Sequence, residues 1–186
     1  MTVTLELLAV AVLILLNGYF VAAEYALVTV RRTRLAELET EGNRRARQVR
    51  SITSDPPRFI AAMQLGVTLT SLGIGALGEQ VLATTLDEWL AAVLAVLIAF
   101  SIITFMHVVV GELIPKGVAL THAERVALAV STPVRAFFFV FKPVIWLLQT
   151  ASESGQRLIG VDPRKMQGEA HSEAELKMLL EVSTEH

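Results

Sequence analysis

Residues 90–110 read LAAVLAVLIAFSIITFMHVVV, a run of 21 residues without Asp, Glu, Lys or Arg. A helix needs roughly 20 apolar residues to cross a hydrocarbon core about 30 Å thick. Residues 59–78, FIAAMQLGVTLTSLGIGALG, are equally free of charge, and residues 7–30 are apolar apart from a few polar groups. The three runs predict an all-α membrane protein with three transmembrane helices, at about 4–30, 59–82 and 90–114.

The composition of the whole chain agrees with a membrane protein. Of 186 residues, 53% are hydrophobic and only 18% are charged, which argues against an ordinary soluble domain. Residues 1–30 lack the basic start of a secretory signal peptide, so we expect them to stay in the membrane. Cysteine is absent, which excludes disulfides and thiolate metal sites within this chain.

The basic residues predict the orientation. Of the 16 Lys and Arg, eight lie in residues 31–58 and eight from residue 116 onward. Basic loops stay in the cytoplasm, so the loop at 31–50 and the C-terminal third are expected inside, and the N-terminus and the TTLDEW loop at 84–89 outside. Anionic lipid explains this charge more simply than nucleic acid, which is not an expected partner.

Residues 133–148, PVRAFFFVFKPVIWLL, are apolar but interrupted by Arg135, Lys142 and Pro143. A full crossing would bury charges at a cost of a few kcal/mol each, so we predict an interfacial helix pair here. Its aromatic residues suit either the lipid headgroup boundary or packing beneath the spans. The chain thus divides into a three-span domain at 1–120 and a juxtamembrane helical region at 121–160.

Polar residues within the spans are the first candidates for function, because lipid does not solvate them. Asn17 and Glu24 are two helical turns apart on one face. The alternatives are an interhelical hydrogen bond for Asn17 and a carboxylate reaching the interface for Glu24. In the second span Gln64, Thr68 and Ser71 form a stripe, and Thr70 is predicted to point off it.

Other features of the second span have two interpretations each. Its hydroxyl groups are potential ligands of a hard cation, but they also bond commonly to the carbonyl of the preceding turn. Small residues let helix backbones approach closely, so its glycines, Gly66 among them, mainly indicate helix packing.

The third span ends in the most specific stretch, HVVVGELIPKGVAL at 107–120. Pro115 has no N–H, so the Gly111 carbonyl loses its helical partner and the helix is expected to kink or break. A free carbonyl beside Glu112 is ligand chemistry that magnesium or calcium uses. The alternative is a helix stop with Glu112 paired to Lys116. For His107, which has no second His or Cys nearby, we predict an interhelical hydrogen bond.

Residues 16–30 (LNGYFVAAEYALVTV), 64–79 (QLGVTLTSLGIGALGE) and 111–116 (GELIPK) together resemble the transmembrane domain of the CorC/CNNM (cyclin M) magnesium-transporter family. The resemblance implies a homodimeric three-span domain with cytoplasmic juxtamembrane helices in the plasma membrane, the inner membrane of a bacterium. It implies magnesium transport with sodium exchange as a driving force. It also implies that 161–186 are a linker and the start of a helix leading to CBS regulatory domains, where ATP binds.

The resemblance also implies where magnesium binds, between the three spans. Many relatives have Ser where this chain has Val21 or Ala22, so the resemblance carries over no hydroxyl ligand at these two positions. The rival function is a scaffold or magnesium sensor without flux of its own. An enzyme is not expected, because no nucleophile, metal-protease or phosphate-loop motif occurs. The candidate metal ligands are Asn17, Glu24, Gly66, Thr70, Ser71, Gly111 and Glu112, with the helix break at Pro115.

Overall fold

The computed structural model describes residues 3–83 and 89–160, with side-chain surroundings for 4–78 and 97–160. Within these ranges the chain forms helices and no strand. The TTLDEW loop, except for its final residue, and the predicted linker and helix at 161–186 lie outside the described residues. The helices are α1 (Val3–Thr29), α2 (Arg32–Thr40), α3 (Arg44–Thr53), α4 (Pro56–Ala83), α5 (Trp89–Val108), a π-helical segment (Val109–Leu113), α6 (Ile114–Thr121) and α7 (Ala123–Leu158).

Four helical stretches among the described residues are long and apolar enough to cross a membrane, which makes this a multi-pass membrane protein. Three of them, Thr4–Thr29, Pro56–Gly78 and Leu97–Thr121, correspond to the predicted spans. The fourth is Ala123–Leu158.

The prediction of a helix pair at 133–148 was wrong, because α7 is one helix with Pro133 and Pro143 inside it. Each proline removes one backbone hydrogen bond and costs about 3 kcal/mol. Packing offsets this cost, since Val130 and Val134 are buried on either side of the first proline and Ile145 follows the second.

Helix α1 is the central element, because α4 packs on one side of it and the π segment and α6 on another. Two glycines permit these contacts. A β-carbon on Gly18 would lie 2.9 Å from Pro115 Cγ and 3.2 Å from the Val110 carbonyl oxygen. A β-carbon on Gly66 would lie 2.4 Å from the Phe20 ring. The prediction that Gly66 serves helix packing is therefore confirmed.

The basic loop folds as a helical hairpin. Gly42, with φ of 86°, makes the turn between α2 and α3. The Asn43 side chain then caps α3 by accepting hydrogen bonds from the Arg45 and Ala46 amides. Across the hairpin Glu39 is paired with Arg47 and Arg50. The hydrogen bond from Arg50 lowers the pKa of Glu39 below its ordinary value.

Aromatic residues join α7 to α1. Phe20 makes edge-on contacts with Phe137 at 4.9 Å and with Tyr19 at 5.5 Å between ring centroids. The Tyr19 hydroxyl donates to the Val130 carbonyl at 3.3 Å. Phe139, by contrast, is 84% exposed. The aromatic cluster of α7 therefore divides between packing on the spans and an outward face.

Candidate functional site: a polar cluster between the spans

The third span changes its helical geometry just before Pro115, as predicted. Regular α-helix ends at Val108, the π segment follows, and Pro115 lies in the first turn of α6. A π segment has i→i+5 hydrogen bonds and is common at functional sites. Gly111, in the middle of the segment, is buried.

The Gly111 carbonyl accepts a hydrogen bond from a side chain of α1. The Asn17 amide, only 2% exposed, donates from Nδ2 to the Gly111 oxygen at 3.0 Å. The alternative interpretation of Asn17, an interhelical hydrogen bond, is therefore confirmed, and its role as a metal ligand stays a prediction. A β-carbon on Gly111 would lie 3.4 Å from Asn17 Nδ2 and 3.3 Å from the Ile14 carbonyl oxygen. The missing side chain at position 111 is what lets α1 come this close.

The other end of the same amide binds the second span. Asn17 Oδ1 accepts hydrogen bonds from Thr70 Oγ1 at 2.8 Å and Ser71 Oγ at 3.3 Å. Thr70 Oγ1 also lies 2.9 Å from each of the Gly66 and Val67 carbonyl oxygens. A hydroxyl has a single proton, so Thr70 donates to one of these three acceptors at a time. One asparagine thus connects the three predicted spans through a cluster of oxygen atoms.

The face that α4 turns to this cluster differs from the predicted stripe. Gln64 and Thr68 are exposed, whereas Thr70, predicted to point off the stripe, is 3% exposed. Contact between Gly66 and Phe20 sets the rotation of α4, and Thr70 follows Gly66 by one turn on the same face. The prediction that Thr70 points off the stripe is therefore confirmed, and Thr70, with Ser71, is the residue of α4 that reaches Asn17.

Neither of the two candidate carboxylates is hydrogen-bonded to Asn17. The Glu112 side chain is exposed and Glu24 is half-buried. Lys116 forms no ion pair with Glu112 within the described ranges and instead lies over the Tyr25 ring, 4.5 Å from its centroid. No group of three or more His, Asp or Glu gathers among the described side chains. The oxygen atoms of the cluster around Asn17 are thus uncharged amide, hydroxyl and carbonyl oxygens.

Two further polar side chains of the long helices have a buried atom without a hydrogen-bond partner among the described residues. For His107 this atom is Nε2, so the interhelical bond predicted for this residue is not made through that nitrogen. Glu6, which the sequence analysis did not single out, is 7% exposed with Oε2 similarly unpaired. The signal for Glu6 was spacing, since Glu6, Val10, Ile14 and Asn17 recur every three or four residues on one buried face of α1.

The fold and site define a multi-pass helical membrane protein with a polar cluster buried between its helices. Residues 7–186 match the family model described as the cyclin M transmembrane N-terminal domain, so the chain belongs to the CNNM family. It is 40% identical over 187 residues to the UPF0053 protein YhdT of Bacillus subtilis (strain 168), covering 96% of this chain and 41% of the relative.

Two further relatives are matched over most of this chain and about two-fifths of their own length. The UPF0053 protein YhdP of Bacillus subtilis (strain 168) is 38% identical, over 96% of this chain and 42% of its own length. The polyamine export protein of Haemophilus influenzae (strain ATCC 51907 / DSM 11121 / KW20 / Rd) is 30% identical, over 87% of this chain and 39% of its own. The chain therefore spans about two-fifths of the length of these relatives.

Proposed function

We propose that this chain, as a homodimer, carries magnesium ions across the membrane through the oxygen cluster around Asn17. The observation that supports this most directly is the meeting of three spans at one buried amide, beside a π segment. Membership of the CNNM family supports a role in membrane transport.

The chemistry of the cluster suits a hard cation. Magnesium prefers oxygen ligands in octahedral geometry and usually keeps several waters. When Thr70 donates its proton to the Gly66 or Val67 carbonyl, its lone pairs and Asn17 Oδ1 become free to face an ion. The cluster is neutral, so in this proposal Glu24 and Glu112 supply negative charge as the spans move between inward-open and outward-open arrangements. Sodium exchange is the proposed driving force.

A polyamine is the second candidate substrate, because one relative carries the name polyamine export protein. Ammonium groups are hydrogen-bond donors, so the same amide, hydroxyl and carbonyl oxygens would accept from them. A third possibility is a magnesium sensor or scaffold that binds the ion without moving it.

Flux measurements separate these functions. The purified chain in liposomes that contain a magnesium-sensitive dye is expected to give a magnesium-dependent signal that protein-free liposomes lack. An inward sodium gradient should change the rate if sodium is exchanged. Parallel liposomes are assayed with labelled spermidine. Spermidine flux without magnesium flux would replace the proposal with polyamine transport. Magnesium binding without flux of either would leave a sensor. Light scattering in detergent tests the dimer.

We also propose that three of the four candidate helices cross the membrane and that α7 lies along its cytoplasmic side. Glu124 accepts a hydrogen bond from Arg34 of α2, and Thr132 donates to Gln48 of α3. Phe138 still lines a cleft shared with α3. Residues 124–138 cover about 21 Å of helix. A helix that crossed the bilayer would move away from the basic hairpin over this length, whereas α7 stays beside it.

Single cysteines introduced into this cysteine-free chain test the topology. With an impermeant thiol reagent on intact cells, Thr85→Cys is expected to react, because the N-terminus and this loop are proposed to be outside. Thr40→Cys and Leu158→Cys should react only after permeabilisation. Labelling of Leu158→Cys from outside would show that α7 crosses the membrane and would overturn the three-span proposal.

A further inference from the structure

A basic cleft lies between α3, the start of α4 and α7, and shares no lining residue with the Asn17 cluster. Its volume is about 520 Å³. Four arginines from three separate helices line it, together with polar and apolar residues of the same helices. The arginines are Arg44, Arg47, Arg58 and Arg135; the others are Gln48, Ser51, Ile52, Ser54, Asp55 and Phe138.

The helices converge here for definable reasons. Arg44 and Ser51 each lie three or four residues from both Arg47 and Gln48, so the four residues share a face of α3. A hydrogen bond from Thr132 to Gln48, at 3.3 Å, links α7 to this face. The cleft is therefore held by tertiary contacts and is more than a run of basic residues in a loop.

Most of the positive charge in the cleft is uncompensated. Arg47 pairs with Glu39 at 3.3 Å, but Arg44, Arg58 and Arg135 form no ion pair among the described side chains. Asp55, the acidic residue of the cleft lining, accepts from the Arg58 backbone amide at 3.3 Å and caps α4. Guanidinium groups bind phosphate oxygens through paired, charge-assisted hydrogen bonds. The cleft thus has the chemistry of a phosphate site.

Apolar residues adjoin the arginines. Ile52 and Phe138 form part of the lining, and the next residues of α7, Phe139 and Val140, are 84% and 67% exposed. A soluble phosphate compound gains little from an exposed phenyl ring. A phospholipid would place its headgroup among the arginines and its glycerol and acyl chains against these side chains.

We propose that this cleft binds a phosphate group, and that its source is the headgroup of an anionic phospholipid in the cytoplasmic leaflet. The proposal requires α3 to lie on the cytoplasmic side of the membrane, which is where its basic residues predict it to lie. The site is separate from the Asn17 cluster, so it stands whether or not the chain transports magnesium.

Matched pairs of substitutions test the site. Arg44→Gln with Arg135→Gln removes one cleft arginine from α3 and one from α7. Arg45→Gln with Arg125→Gln removes two exposed arginines outside the cleft lining, from the same two helices. The probe is dioctanoyl phosphatidylglycerol added to the detergent-solubilised chain, with binding counted by native mass spectrometry. Dioctanoyl phosphatidylcholine, inorganic phosphate and ATP are the comparison ligands.

We expect the cleft pair to bind phosphatidylglycerol at least about tenfold more weakly than wild type, because charge-assisted hydrogen bonds are lost. The control pair should bind within about twofold of wild type, as exposed charges outside the site contribute little. If both double variants bound phosphatidylglycerol equally weakly, general charge attraction would explain the binding and the proposed cleft site would be overturned. Displacement of the lipid by phosphate or ATP at similar concentration would overturn the lipid as its source. Equal binding of phosphatidylcholine by wild type would overturn the requirement for an anionic headgroup.

Discussion

Replacing Gly66 with alanine is expected to destabilise the bundle by about 3 kcal/mol, at the upper end of the usual cost of overpacking. The added β-carbon would lie 2.4 to 2.6 Å from three atoms of the Phe20 ring. The ring has little room to retreat, since Tyr19 and Phe137 contact it. The measurement is reversible unfolding of the purified chain in mixed micelles, followed by circular dichroism.

Gly75 provides the matched control on the same helix. A β-carbon there meets no atom within 4 Å, so Gly75→Ala should be neutral or stabilise by up to about 1 kcal/mol through helix propensity. In a Phe20→Leu background, Gly66→Ala should cost less than in wild type, because contacting residues are not additive. Similar losses for Gly66→Ala and Gly75→Ala would contradict the contact.

Replacing Asn17 with leucine is expected to produce the largest functional loss. The substitution removes the donor to the Gly111 carbonyl and the acceptor for Thr70 and Ser71. Unpaired buried groups cost about 1–3 kcal/mol each in water-soluble proteins, and hydrogen bonds between membrane helices average about 0.6 kcal/mol. We therefore expect about 2 kcal/mol of lost stability, and a magnesium flux reduced to the level of protein-free liposomes.

Two threonines on α4 distinguish lost ligands from lost structure. Thr70 and Thr68 both bond to the carbonyl four residues earlier, at 2.9 and 2.7 Å, but only Thr70 also reaches Asn17. Thr70→Val is expected to lower magnesium flux about tenfold, which corresponds to about 1.4 kcal/mol, while Thr68→Val should resemble wild type. Equal flux from both variants would remove Thr70 from the proposed site.

Absence of charge was sufficient to predict the long apolar helices at 59–78 and 90–110, because hydrocarbon tolerates few ionised groups. The first long helix was predicted from its apolar length, although it contains Glu24. The helix change near Pro115 was predictable for a similarly local reason, because proline lacks an N–H. The hydrogen-bond partner of the Gly111 carbonyl was harder to predict, since Asn17 lies 94 residues away in sequence. Only packing brings those two groups together.

The inward face of α4 was not predictable from its own residues. Small polar residues occur around that helix, and a stripe through Thr68 was as plausible as one through Thr70. Contact between Phe20 and Gly66 decides the rotation, and this contact joins two helices. The single helix α7 has a similar explanation, because proline preferences act locally whereas the burial of Val130 and Val134 depends on neighbouring elements.

The π segment also sets the phase of everything that follows it in the third span. In a π segment each hydrogen bond spans five residues, one more than in an α-helix. The extra residue rotates all later side chains by about 100° around the helix axis. If Val109–Leu113 wound as ordinary α-helix, Lys116 would rotate away from the Tyr25 ring, or Gly111 away from Asn17. One contact lies in the middle of this wider turn and the other just after it, so a single inserted residue determines which side chains of the third span meet the first.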